Sequence, residues 1–131
     1  MPEVLFRSNC PDDASFQKWA DEIIGSSEHW DHVFIAIDRE VAGKAEFAEK
    51  LRRRMAHMVL TVLQRMPLNE LFVEGGATAS EIAARFGWTR FEPCDLLAPG
   101  VVRMKVLESD PIYLTIKPGS YPWPKDIGKK R

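Results

Sequence analysis

The stretch Leu71-Phe72-Val73-Glu74-Gly75-Gly76-Ala77-Thr78-Ala79-Ser80 reads as a strand end, a double glycine and a helix start. Glycines let a backbone take positive φ and approach a ligand closely. The first turn of a helix offers unpaired N–H groups and a partial positive charge. Together they form an anion site, and phosphate is the usual anion. The Thr78 hydroxyl can cap the helix or meet a phosphate oxygen. No Gly-Lys-Ser/Thr follows, so this is not a Walker loop, and it is not a G-x-G-x-x-G dinucleotide fingerprint. Taken alone, the stretch reads equally as a tight strand-to-helix turn with a threonine cap.

Working outward, residues 78–86 read as a helix with Ile82, Ala83 and Phe86 inward and Gly87 at its C-cap. Upstream, residues 45–66 give the clearest helix. Phe47, Leu51, Met55, Met58, Val62 and Met66 recur at three- and four-residue steps, and Pro67 ends it. Before it, residues 32–38 (HVFIAID) form an apolar run of buried-strand length. Residues 12–24 predict a first helix, capped by Asp12 or Asp13 and stopped at Gly25-Ser26-Ser27.

Downstream, residues 88–97 are mostly extended. Residues 101–107 and 112–117 alternate apolar and polar and make a hairpin through residues 108–111. Three prolines, Pro118, Pro122 and Pro124, then predict an irregular tail. The order predicts a single α/β domain over 1–131, with a mixed, mostly parallel sheet flanked by helices and an antiparallel C-terminal hairpin.

Composition narrows the function classes. At 131 residues the chain has room for one domain with a core, and 45% hydrophobic with 28% charged content is that of a globular protein. Eighteen basic against nineteen acidic residues give a net charge of −1, which argues against a dedicated nucleic-acid binder. No apolar run reaches membrane-spanning length, and none follows Met1 as a signal peptide would. Cys10 and Cys94 lie far apart and read as reduced thiols of a cytoplasmic protein.

Two further segments can carry chemistry. Ala98-Pro99-Gly100 is a turn leading into a strand. Lys117-Pro118-Gly119-Ser120-Tyr121-Pro122 closes a strand, and a lysine there either reaches a phosphate as a point charge or is simply solvated. Other clusters read more plainly. His29-Trp30-Asp31-His32 offers too few ligands for a metal. Asp38-Arg39-Glu40 follows a strand end where α/β ligands gather, and otherwise is a solvated loop. Arg52-Arg53-Arg54 sweeps around a helix and reads as a solvated face. Trp88 and Phe91 either flank an adenine or pack in the core.

In this order and spacing, the three segments resemble the C-terminal, nucleotide-binding domain of the four-carbon acid sugar kinases. That family carries a strand followed by Gly-Gly-acidic-Thr, then an Ala-Pro-Gly turn, then a strand ending Lys-Ser-Gly-x-Phe-Gly. The matching stretches are residues 71–78, 98–100 and 117–121, with residues 33–37 agreeing as a strand before the long helix and residues 68–72 as the approach to the glycines. Phe6-Arg7-Ser8 resembles the hand-over from the family's first domain. The resemblance implies ATP-dependent phosphorylation of a sugar-acid hydroxyl, with Mg²⁺. It places Gly75, Gly76 and Thr78 at the phosphates, Pro99 and Gly100 on the wall beside the nucleotide, and Lys117 and Gly119 on the phosphate side. It also implies a separate N-terminal sugar-acid-binding domain, which 131 residues cannot also contain, and leaves room for self-association.

The departures are specific. Ala77 stands where the family has a carboxylate, with Glu74 the candidate substitute. Pro118 and Pro122 remove backbone donors, and Pro122 replaces a glycine. These favour a second reading, a degenerate non-catalytic module that keeps the fold. A third is an unrelated small α/β phosphate binder.

Overall fold

The computed structural model describes residues 1–37, 43, 45–109 and 111–127. Two compact units divide the chain, Met1–Met66 and Pro67–Arg131.

The first unit is helical among its described residues: α1 (Glu3–Arg7), α2 (Asp13–Ser27) and α3 (Ala45–Arg65). Asp12 caps α2 by accepting from the Ser15 amide at 2.9 Å, and the Ser15 hydrogen bonds hold its carboxyl below the usual range. The glycine and serines expected to stop α2 instead complete it, because Ser26 and Ser27 turn their hydroxyls back onto the carbonyls of Glu22 and Ile24. Phe16, Trp19, Ala20 and Ile23 of α2 are buried, as are Leu51, Met58 and Val62 of α3, so both predicted apolar faces form the core. Arg54 departs from the solvated face expected of the arginine run. It is buried and donates to the carbonyls of Leu5 (2.5 Å) and Ser8 (2.7 Å), fastening the chain start to α3. Burial depresses its pKa from the usual range.

The strand expected at 32–38 does not form. Residues 32–37 belong to no ladder, and Phe34 is 82% exposed. An apolar run acquires strand structure only where a neighbour completes its hydrogen bonds. Asp38, Arg39 and Glu40 lie outside the described residues.

The second unit holds β1 (Glu70–Glu74), α4 (Gly76–Phe86), β2 (Phe91–Ala98), β3 (Val101–Val106) and β4 (Tyr113–Lys117). Its sheet has the order β1-β4-β3-β2. β1 and β4 are parallel, whereas β4 with β3 and β3 with β2 are antiparallel. The mixed sheet and its antiparallel hairpin are as predicted, and the parallel share is one pair. α4 packs on β1 and β4 and buries Ala79 and Ile82. Gly87 is its left-handed C-cap. Trp88 is buried and stacks on Phe86, with ring centroids 4.6 Å apart, so it serves the core. β2 is an edge strand whose register shifts at Pro93/Asp95 and again at Leu96/Ala98, which blunts it against stray pairing.

Candidate functional site

The site is built where the parallel pair ends. Register pairs Glu74 with Lys117, so the loops leaving β1 and β4 emerge side by side. The Gly75 amide donates to the Lys117 carbonyl at 2.8 Å, closing the ladder. Gly75 has φ 92° and ψ 124°, a conformation that side-chain-bearing residues rarely adopt. This kink converts strand direction into α4 without a side-chain cap.

The first intrahelical bond runs from the Ala79 amide to the Gly75 carbonyl, at 3.1 Å. The amides of Gly76, Ala77 and Thr78 precede it and have no helical partner. Ala77 is exposed, Thr78 is half-buried, and a Cβ on Gly76 would meet nothing within 4 Å. The α4 N-terminus is therefore an open row of donors at the positive end of a helix.

The turn Ala98-Pro99-Gly100 reaches the same sheet end. Val102 pairs with Ile116, which sets Gly100 beside the exit from β4. Gly100 has φ 75°, and a Cβ there would lie 3.5 Å from the Tyr121 ring. The loop after β4 thus leans on the turn between β2 and β3. Pro99 and Gly119 are exposed. All three segments singled out in the sequence converge on one end of one sheet.

Lys117 is neither solvated nor pointing outward. Its side chain is 3% exposed. The ammonium donates to the carbonyls of Pro118 (2.9 Å), Tyr121 (2.6 Å) and Gly119 (3.4 Å). It also faces Glu74 Oε1 at 3.2 Å, and the Trp123 ring at 5.4 Å. Pro118 and Pro122 supply no amide donors, and the loop between them is gathered around this cation through its carbonyls instead. Glu74 completes the arrangement by accepting from Trp123 Nε1 at 3.2 Å, while Phe72 meets the Trp123 ring edge-on.

Further along the same sheet face, Arg103 donates to Glu70 at 2.7 Å and lies 3.7 Å above the Tyr113 ring. The hydrogen bond to Glu70 raises the Arg103 pKa above its usual range. Buried Thr115 also donates to Glu70, at 3.2 Å. Sequence reasoning missed both this network and the role of Trp123. The only available signal was period-two parity, which puts Glu70, Phe72 and Glu74 on the face of Tyr113, Thr115 and Lys117.

No group of three metal-ligating side chains occurs among the described residues. Glu74 is the carboxylate adjoining the glycines, and it is engaged by Lys117 and Trp123.

A parallel strand pair feeding a glycine turn and an uncapped helix start is an arrangement that α/β folds use to receive anions. Residues 5–121 match the family model described as the nucleotide-binding C-terminal domain, and the chain belongs to that family. The match runs across both compact units. The fold is similar to a Haemophilus influenzae protein of the DUF1537 family, at 18% identity and TM-score 0.65, covering 92% of this chain and 30% of that one. It is also similar to a DUF1537 domain from Bordetella bronchiseptica, solved as a domain-swapped dimer with bound citrate. That likeness has 16% identity and TM-score 0.63, and covers 90% of this chain and 28% of that one. The chain thus spans under a third of the length of these structures. No curated protein matches it.

Proposed function

We propose that this chain binds ATP or ADP, with Mg²⁺ entering on the phosphates, as the nucleotide half of a cytoplasmic kinase that phosphorylates a sugar-acid hydroxyl. The observation that carries the reading is the convergence of the glycine turn, the Pro99-Gly100 turn and the Lys117 loop on the open amides of α4. Gly75, Gly76 and Thr78 take the phosphates, and Pro99 and Gly100 form the wall beside the nucleotide. Lys117 and Gly119 complete the phosphate side, Lys117 by shaping the loop that it gathers. Phosphoryl transfer needs mainly positioning and charge neutralisation, which amides, a lysine and Mg²⁺ supply. The acid substrate is held by a separate N-terminal domain, consistent with the greater length of the similar structures.

A second reading, a non-catalytic module that keeps the fold, is favoured by Ala77 in place of a carboxylate and by the inward commitment of Lys117. Calorimetric titration with ADP and ATP in the presence of Mg²⁺ separates the two. Saturable binding, lost in Gly76→Val and weakened in Lys117→Ala, is the expected result. A Cβ at Gly76 would meet nothing within 4 Å, so Gly76→Val directs its bulk into the space proposed for the ligand, and unchanged thermal unfolding of the variant checks that the fold is kept. Absence of binding at millimolar nucleotide leaves the non-catalytic module as the better account.

A further inference from the structure

The ion pair at the lip of the glycine turn is unequal. Lys117 is the anchored partner, because the carbonyls of Pro118, Gly119 and Tyr121 all accept from its ammonium and would lose their donor if it left. Glu74 Oε1 stands 3.2 Å from the same ammonium, and its side chain is 54% exposed. Its other tie is a single indole N–H, at 3.2 Å. An exposed carboxylate that swings into water regains its hydration, so little opposes its departure. In sequence it stands immediately before Gly75, at the end of β1 where the glycine turn begins.

We propose that Glu74 is the internal counter-ion of this site, a carboxylate lodged on Lys117 and Trp123 that the phosphates of an incoming ligand displace. The inference rests on the nucleotide-binding reading above and names the residue that sets the site's strength for polyphosphates. With no ligand, Glu74 neutralises the buried ammonium and holds the indole of Trp123. When a diphosphate enters, its negative charge takes over the neutralisation, Glu74 turns outward, and the Trp123 N–H is released. The site therefore discriminates against weakly charged ligands, which cannot compete with a tethered carboxylate.

The test compares wild type, Glu74→Gln and Trp123→Phe of this chain, titrated with ADP, inorganic pyrophosphate and adenosine. Glu74→Gln keeps the shape and removes the charge. It is expected to bind ADP and pyrophosphate about two- to fivefold more tightly, the range an exposed ion pair spans. Trp123→Phe keeps the ring against Phe72 and loses the tether, so it shifts the same way by less. Adenosine, which carries no phosphate, distinguishes wild type from neither variant. Wild-type binding with equal or weaker binding by Glu74→Gln overturns the counter-ion role and leaves the nucleotide site standing. Failure of all three chains to bind ADP or pyrophosphate overturns both.

Discussion

Two apolar runs of similar character meet different fates in this chain. Residues 32–37 (HVFIAI) have the stronger strand composition, yet they join no ladder and leave Phe34 exposed. Residues 70–74 (ELFVE) carry two carboxylates, yet they form β1 with a complete parallel register against β4. The difference lies in the partner. β4 offers β1 its backbone hydrogen bonds, Thr115 and Arg103 receive Glu70, and Lys117 and Trp123 receive Glu74. Strand composition describes a surface that fits a sheet, and the neighbours decide whether it enters one.

Substitutions in the two regions sharpen this contrast. Leu114→Ala on β4, at a site 1% exposed, is expected to cost about 3 kcal/mol by emptying the core beneath the ladder, read from urea denaturation. Gly75→Ala puts a side chain at φ 92° and is expected to cost about 1–2 kcal/mol in the same assay.

Glu108 supplies a pH-dependent effect on the ladder side. Burial pushes its carboxyl up, but the Thr89 hydroxyl, the backbone of Glu108 itself and the guanidinium and backbone of Arg90 outweigh that, bringing it from 4.5 to about 2. Its folded value lies below the unfolded one, so its stabilisation is present above about pH 4.5 and fades as pH falls towards 2. Glu108→Gln should flatten that part of the stability–pH profile. The smallest change is expected in the unpaired run, where Phe34→Ala alters stability by less than about 0.5 kcal/mol. A loss as large as that of Leu114→Ala would show that residues 32–37 share a core in solution and would erase the comparison.

Much of the architecture was legible in the sequence because it depends on local chemistry. Asp12 at a cap, Gly87 at a helix end and the alternation before and after residues 108–111 each report a local conformation, and each element formed there. The three site segments were found by their residue types, and the register of β1 with β4 and β3 with β4 explains why they meet. What was illegible depends on long-range partners. Arg54 sits in a run of like charges that looks solvated, and only the carbonyls of Leu5 and Ser8 draw it inward. Lys117 carries the same ambiguity, resolved by a loop whose prolines leave carbonyls in surplus. Trp123 looked like a remnant of irregular tail, because no sequence pattern ties an indole to a glutamate far upstream.

The pairing of β1 with β4 also orders events during synthesis. β1 and its glycine turn leave the ribosome well before β4, while β2 and β3 are still to come. Until β4 emerges, the Gly75 amide has no Lys117 carbonyl to meet, and the edge of β1 stays open. Closing a long segment costs entropy before the new contacts repay it. The nascent chain therefore presents an unpaired glycine turn and an unpaired β1 together, and one five-residue strand supplies both the Lys117 carbonyl and the ladder partner for one edge of β1. Unpaired strands in a partly made chain are open to wrong partners, and here the closing of one such edge and the assembly of the candidate site are the same event.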